Sequence, residues 1–431
     1  MDGISAYHLV IGAAIIIIAS YLFNFIARKT NVPSVILLIG SGYLVKEMAG
    51  FSFQEEEWFL PLEILGIVGL ILIVLEAALD LELRRKNFNL IAQSSLIALL
   101  SLFFNTFFLA IGIQYFIGNL DWLTSVIYAI PLSITSSAIV IPSITGLERN
   151  KREFLIYEST ISDILGIMFF YLLVENLDTQ GATMIGVNVL INIGGTLLLS
   201  VGLSYMMIFV FQKIRSDVKL FLFFAVLILF YAIGKLFHLS SLLMILVFGL
   251  VLENRLLFFR GILRKYLLED KVINDLKDFK LLTRESSFVV RTFFFFILGL
   301  SITLAGVFTP QILWLTLYFL LGMYGFRWII FKIVFRKNYF PQFFIAPRGL
   351  ISILLFFAIP KEFRVNEFEL GILLLSIVIT SLFMAWALVH DKMGRIGRLK
   401  KFVIVRHAMV KGKKLVVHNS KKSDYFEKQQ K

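Results

Sequence analysis

The sequence predicts an all-α polytopic membrane protein. About thirteen transmembrane helices form two inverted six-helix repeats, with discontinuous crossing helices at spans 5 and 12. Three observations predict it. The 431 residues are 58% hydrophobic and only 16% charged, whereas a water-soluble domain carries about a quarter charged residues. Apolar runs of about 20 residues recur along the chain, each long enough for a hydrocarbon core about 30 Å thick. Basic residues concentrate in every second connection between those runs.

In order, the runs occupy 6–27, 32–47, 59–81, 89–117, 121–147, 153–175, 183–212, 217–236, 239–254, 286–308, 311–333, 341–360 and 367–390. The first, Tyr7 to Ile26, lacks a basic leader and reads as an uncleaved anchor. The second, VPSVILLIGSGYLV, is short and glycine-bearing. Odd connections hold Arg28 and Lys29; Arg84, Arg85 and Lys86; Arg149, Lys151 and Arg152; Lys213, Arg215 and Lys219; a basic stretch from Arg255 to Arg284; then Arg336 and Lys337 after Arg327 and Lys332. Even connections hold only Lys46, Lys235, Lys361 and Arg364. By the positive-inside rule the N-terminus is expected outside and the C-terminus in the cytoplasm. A transmembrane domain is therefore expected over 1–390, followed by a short basic cytoplasmic tail over 391–431. The stretch LLEDKVINDLKDFKLLTRESS reads as an amphipathic surface helix linking the two halves.

Orientation and attraction to anionic lipid account for the formal charge of +13, so no nucleic acid is expected as a partner. Cysteine is absent, which excludes disulfides, thiolate catalysis and cysteine metal sites. An intramembrane protease is not expected either. No second aspartate stands at matching depth, and His8, His238, His390, His407 and His418 lie at or beyond span ends.

Ionisable residues within spans are few: Glu63, Glu76, Asp80, Glu158, Asp163, Arg291, Arg327, Lys332 and Arg348. A charge at the centre of a spanning helix costs about 2.5–3.5 kcal/mol on the mildest scales, so such residues face a cavity or a partner. Span 6, EFLIYESTISDILGIMFF, carries the densest set. On a helix Ser159 and Asp163 share a face, and Glu158 and Ser162 lie on its flank. Together they cover about 140° of arc, a ready oxygen cage for a small cation. Entering from the cytoplasm, Asp163 lies ~15 Å deep, Glu158 ~7–8 Å, and Arg348 in span 12 ~10 Å. Similar depth and opposite charge predict a structural Glu158–Arg348 ion pair, leaving Asp163 without a fixed cationic partner. Glu76, flanked by apolar residues and two alanines, reads as a site residue. Asp80 and Glu82 read as interfacial. Arg291 reads as snorkelling to the inner interface, with a counter-charge to the site as the other reading.

Two spans look interrupted. Span 5, YAIPLSITSSAIVIP, sets Ser133, Thr135, Ser136 and Ser137 between two prolines; in span 12, PQFFIAPRGLIS, Pro347 and Gly349 flank Arg348. Broken backbone at membrane depth persists only where protein or a wet cavity surrounds it, and paired breaks in two halves point to a midplane ion site.

These residues also resemble a family, the monovalent cation:proton antiporters, and within it the NhaP-like sodium/proton exchangers, over nearly all of 1–390. KTNVPSVILLIGSGYLV is similar to an early family pattern, and VLEAALDLEL to the segment carrying an ion-site glutamate, at Glu76. TSSAIV stands at the unwound crossing, with Thr135 as the threonine whose backbone faces the ion. YESTISD matches Glu158, Ser159 and Asp163 to a structural glutamate, a serine ligand and the transport aspartate. LSSLLMILVFGLVLEN and APRGLIS also match, the latter placing Arg348 as the partner of that glutamate.

The resemblance implies exchange of a monovalent cation, sodium foremost, for a proton, with both competing at Asp163. Asp163, Ser159, Glu76 and the Thr135 carbonyl, with Ser162 beside them, would hold Na+, K+ or Li+. It also implies no cofactor, a homodimer and a cell-membrane location. Two departures leave the ion open. Ser162 stands where exchangers have asparagine and electrogenic relatives a second aspartate, so electroneutral exchange is expected. Ser136 and Ser137 replace Asp-Pro, a feature nearer to potassium/proton antiporters. A cation channel or non-transporting sensor is the remaining alternative.

Overall fold

A chain inside a bilayer finds no water for its N–H and C=O groups, so each apolar run must satisfy its backbone internally as a helix. The computed structural model describes residues 6–30, 33–49, 55–83, 87–118, 120–144, 146–175, 194–206, 220–236, 241–258, 270–301, 309–335, 339–365 and 371–410. Every run read from the sequence contains a helix, and no strand occurs among the described residues. The first half runs α1 (Ala6–Thr30), α2 (Ser34–Ala49), α3 (Glu55–Asp80), α4 (Phe88–Ile117), α5 (Trp122–Ser133), α6 (Ser137–Ser143) and α7 (Arg149–Glu175). Then come α8 (Gly194–Met206), α9 (Leu220–Leu236), α10 (Ser241–Glu253), α11 (Asp270–Ser301), α12 (Pro310–Phe335), α13 (Leu350–Phe357) and α14 (Gly371–Val410). Among the described residues six segments are long and apolar enough to cross a membrane by themselves.

Apolar side chains gain nothing from one another in lipid, so close approach of small residues holds such a bundle together. The short, glycine-bearing second run shows this directly. A Cβ on Gly42 of α2 would lie 2.1 Å from the Phe296 carbonyl oxygen, and one on Gly299 of α11 would lie 2.2 Å from that of Ile39. The alanines after Glu76 serve the same end. A Cβ on Gly249 of α10 would meet the Ala78 methyl at 2.6 Å. The centre of α10, Leu242 to Phe248, is buried on all sides, while α1 turns Val10, Ile11, Ile15, Ile18 and Leu22 outward, the face expected against lipid.

Two sequence expectations need revision. The amphipathic stretch before span 10 is not a separate linking helix over its described part: from Asp270 it is the first half of α11. Its Lys280 caps α3, whose last carbonyls lack intrahelical partners, by donating to the Leu79 carbonyl. Just beyond α3, the Asn254 amide after α10 donates to the Leu81 carbonyl at 2.8 Å, and Tyr157 of α7 donates to that of Glu82 at 3.0 Å. Asp80 takes Arg284 at 3.0 Å and Lys280 at 3.4 Å. The last helix also passes residue 390 unbroken and ends at Val410, so the expected start of the tail lies inside a helix. Residues 411–431 and the basic clusters 84–86, 213–219 and 336–337 lie outside the described residues.

The α2–α11 contact leaves no room for a methyl group. Gly299→Ala is expected to destabilise the purified protein by about 1–3 kcal/mol, read as a lower melting temperature. Gly12→Ala, where a Cβ meets nothing within 4 Å, should leave that temperature unchanged or slightly higher.

Candidate ion-binding site

Pro131 and Pro142 sit inside α5 and α6, and between those helices Ile134 to Ser136 run extended. Residues 345–349 form the second break, where Pro347 disfavours helical geometry at Ala346. The two breaks touch. The Ser136 N–H donates to the Pro347 carbonyl at 2.9 Å. A Cβ on Gly349 would fall 2.3 Å from Ser136 Oγ, so the crossing needs glycine for space. Side chains brace the remaining donors: the Thr135 N–H donates to Ser162 Oγ, and the Arg348 N–H to Thr380 Oγ1, both at 3.0 Å.

Asp163 faces this crossing, wholly buried. Its Oδ2 accepts the Ser137 N–H, at the start of α6, at 3.0 Å. Its Oδ1 has no hydrogen-bond partner and no solvent contact. Ser159, one turn earlier on the same face, donates its hydroxyl proton to the Leu155 carbonyl at 2.7 Å, which keeps oxygen lone pairs available. Asp163, Ser162 and Thr135 are therefore gathered at the break, and the recorded contacts of Ser159 are to its own helix. Ser162 acts there as a brace, because its oxygen accepts the Thr135 N–H.

The expected Glu158–Arg348 pair does not form. Arg327 of α12 takes both carboxylate oxygens of Glu158, Nη1 to Oε1 and Nη2 to Oε2 at 2.9 Å. Arg327 also donates to the carbonyls of Phe343, Gln342 and Ile345 at 2.9, 3.1 and 3.0 Å and lies over the Phe331 ring. Arg348, equally buried, donates instead to Thr135 Oγ1 at 3.0 Å and Met323 Sδ at 2.8 Å, and covers the face of Phe319. The cause is geometric. Arg327 stands eight residues before the end of α12, ~12 Å deep at 1.5 Å per residue, so it competes for Glu158 at the same level. That position was the missed signal. The Ser137 N–H was missed because a backbone donor leaves no mark in side-chain chemistry.

Glu76 of α3 faces Arg291 of α11 at 3.3 Å. Arg291, read from the sequence as snorkelling or as a counter-charge, has a carboxylate within ion-pair reach. Both residues line a cavity of about 650 Å³ between α1, α3, α6 and α11, with Tyr21, Asp80, Arg284 and Ser137 among its walls. Ser137 joins this vestibule to Asp163, to which its N–H donates.

A helical bundle with two crossed breaks and an orphaned buried carboxylate oxygen beside them defines a class, the multi-pass ion transporters of antiporter fold. Residues 13–390 match the family described as "Sodium/hydrogen exchanger, transmembrane", and the chain belongs to it. That family comprises transporters, not enzymes. One similar solved structure is the sodium proton antiporter MjNhaP1 from Methanocaldococcus jannaschii at pH 8. It is 17% identical with a TM-score of 0.62, over 90% of this chain and 99% of that one. An electron-microscopy structure of the same antiporter is 16% identical with a TM-score of 0.61, over 92% and 97%. These likenesses show the fold. No curated protein matches the chain.

Removing one partner of a buried ion pair strands the other's charge. Glu158→Gln or Arg327→Gln alone should cost about 3–5 kcal/mol of stability, and the double variant much less than their sum. Denaturation in detergent measures both. Additive losses would remove the pair, and coupling of Glu158 to Arg348 instead would restore the arrangement expected from the sequence.

Proposed function

We propose that this protein exchanges a monovalent cation for a proton across the cell membrane by competition at Asp163, with the N-terminus outside and the C-terminus in the cytoplasm. The observation that carries this reading is Asp163 Oδ1, a carboxylate oxygen buried at the crossing with no donor of its own. A proton or a dehydrated cation would satisfy it, and one excludes the other. Ser159 and the Thr135 carbonyl would complete a hard-oxygen shell, with Glu76 in the adjoining vestibule and Ser162 holding the Thr135 segment in place. The family membership supports cation and proton as the exchanged species.

No second acid stands at position 162, so one proton would leave per cation bound and exchange would be electroneutral. Sodium is the first candidate. Potassium is the second, favoured by Ser137 in place of the usual proline. Its N–H already occupies one Asp163 oxygen. Fewer free lone pairs compensate poorly for stripping water from the smaller ion. By the odd–even basic asymmetry the vestibule opens toward the cytoplasm. A homodimer follows from the family resemblance.

Dissipation of a pH gradient in proteoliposomes, with sodium, lithium or potassium added, tests the scheme. Wild type should move protons in response to at least one cation. Asp163→Asn should abolish that response while retaining the wild-type melting temperature; full activity in the variant overturns the assignment. Competition also sets a pH dependence. Lowering the pH should raise the cation concentration for half-maximal rate, by up to about tenfold per pH unit, with an unchanged maximal rate.

A further inference from the structure

The membrane interior holds two Glu–Arg pairs of very different build. In the Glu158–Arg327 pair both residues are buried, at 2% and 3% side-chain exposure, and the guanidinium also binds three backbone carbonyls. The Glu76–Arg291 pair is half-open, at 15% and 20%. Its contacts, 3.3 Å for Nη1 to Oε2 and 3.4 Å for Nη2 to Oε1, exceed the 2.7–2.9 Å usual for a charge-assisted hydrogen bond, about half an ångström too long. The Ser287 hydroxyl stands beside the same carboxylate. Among the described residues Glu76 is the one acceptor recorded for Arg291.

The other charges facing this pair are already engaged. Asp80 holds Arg284 and Lys280, and Glu285 accepts from Tyr21 OH at 3.2 Å. The loose pair borders a cavity of about 650 Å³, ample for a displaced guanidinium. Ser137, whose N–H binds Asp163, lines the same cavity.

We propose that Arg291 is a tethered competitor for the transported cation: it occupies Glu76 when the vestibule is empty, and an entering cation must displace it to use that carboxylate. This rests on the exchange reading above and adds to it a residue that sets apparent cation affinity. A cation at Glu76 takes the carboxylate oxygens that Arg291 holds at 3.3 and 3.4 Å, and the displaced guanidinium then swings into the cavity. Arg291 is thus a specificity-determining residue rather than a structural one. A merely structural arginine would weaken binding when removed, whereas a competitor strengthens it.

The test is the cation concentration for half-maximal effect in Arg291→Gln, Arg291→Lys and Glu76→Gln. It is read twice: as exchange rate in proteoliposomes, and as the rise in melting temperature with sodium or potassium in detergent, which needs no transport. Arg291→Gln should lower that concentration at least about threefold, in keeping with loss of one partly exposed ion pair. Arg291→Lys should restore the wild-type value, and Glu76→Gln should raise it. An unchanged or raised value for folded Arg291→Gln overturns the proposal. If wild type shows cation-dependent stabilisation without exchange, the exchange reading fails while the competition remains measurable. If neither wild type nor Arg291→Gln responds to any cation, the competition itself is overturned.

Discussion

The structure depends on one constraint: backbone polar groups at membrane depth must find their partners in protein. Two helices are broken at that depth, and each break satisfies the other. The Ser136–Pro347 hydrogen bond, the Ser162 oxygen under the Thr135 N–H and the Thr380 oxygen under the Arg348 N–H together meet the donors that the missing helical turns would have served. The crossing tolerates no bulk, which is why glycine follows Arg348. The position of Asp163 is a consequence. Its carboxylate faces the first turn of α6 because the Ser137 N–H there has no earlier carbonyl to bind.

The same constraint explains how charge is managed. Arg327 and Glu158 neutralise one another in a fully buried pair, whose worth lies more in fixing the α7–α12 register than in net energy. Arg348 makes no ion pair among the described residues. A hydroxyl, a thioether and an aromatic face surround it instead, so the arginine expected as a charge partner becomes a tie between the two breaks. Glu76 and Arg291 are more exposed and border a cavity. The gradient from closed pair to loose pair follows the gradient in exposure.

Much of this was legible in the sequence, for physical reasons. Span length follows from bilayer thickness. The breaks follow from proline and glycine in otherwise apolar runs, and attention falls on Asp163 because an unpartnered carboxylate inside an apolar run is costly. All of these are one-dimensional quantities, since depth is residue number times helical rise. Tertiary structure alone decided which partners meet at a given depth. Arg327 and Arg348 lie within a few ångströms of the same level as Glu158 by helical rise, and only helix packing and rotation turn one toward the carboxylate and the other toward Thr135. For the same reason Ser162 braces the break, Arg291 reaches Glu76, and the α2–α11 glycines meet. Depth is written along the chain; azimuth around each helix is settled only when the helices pack.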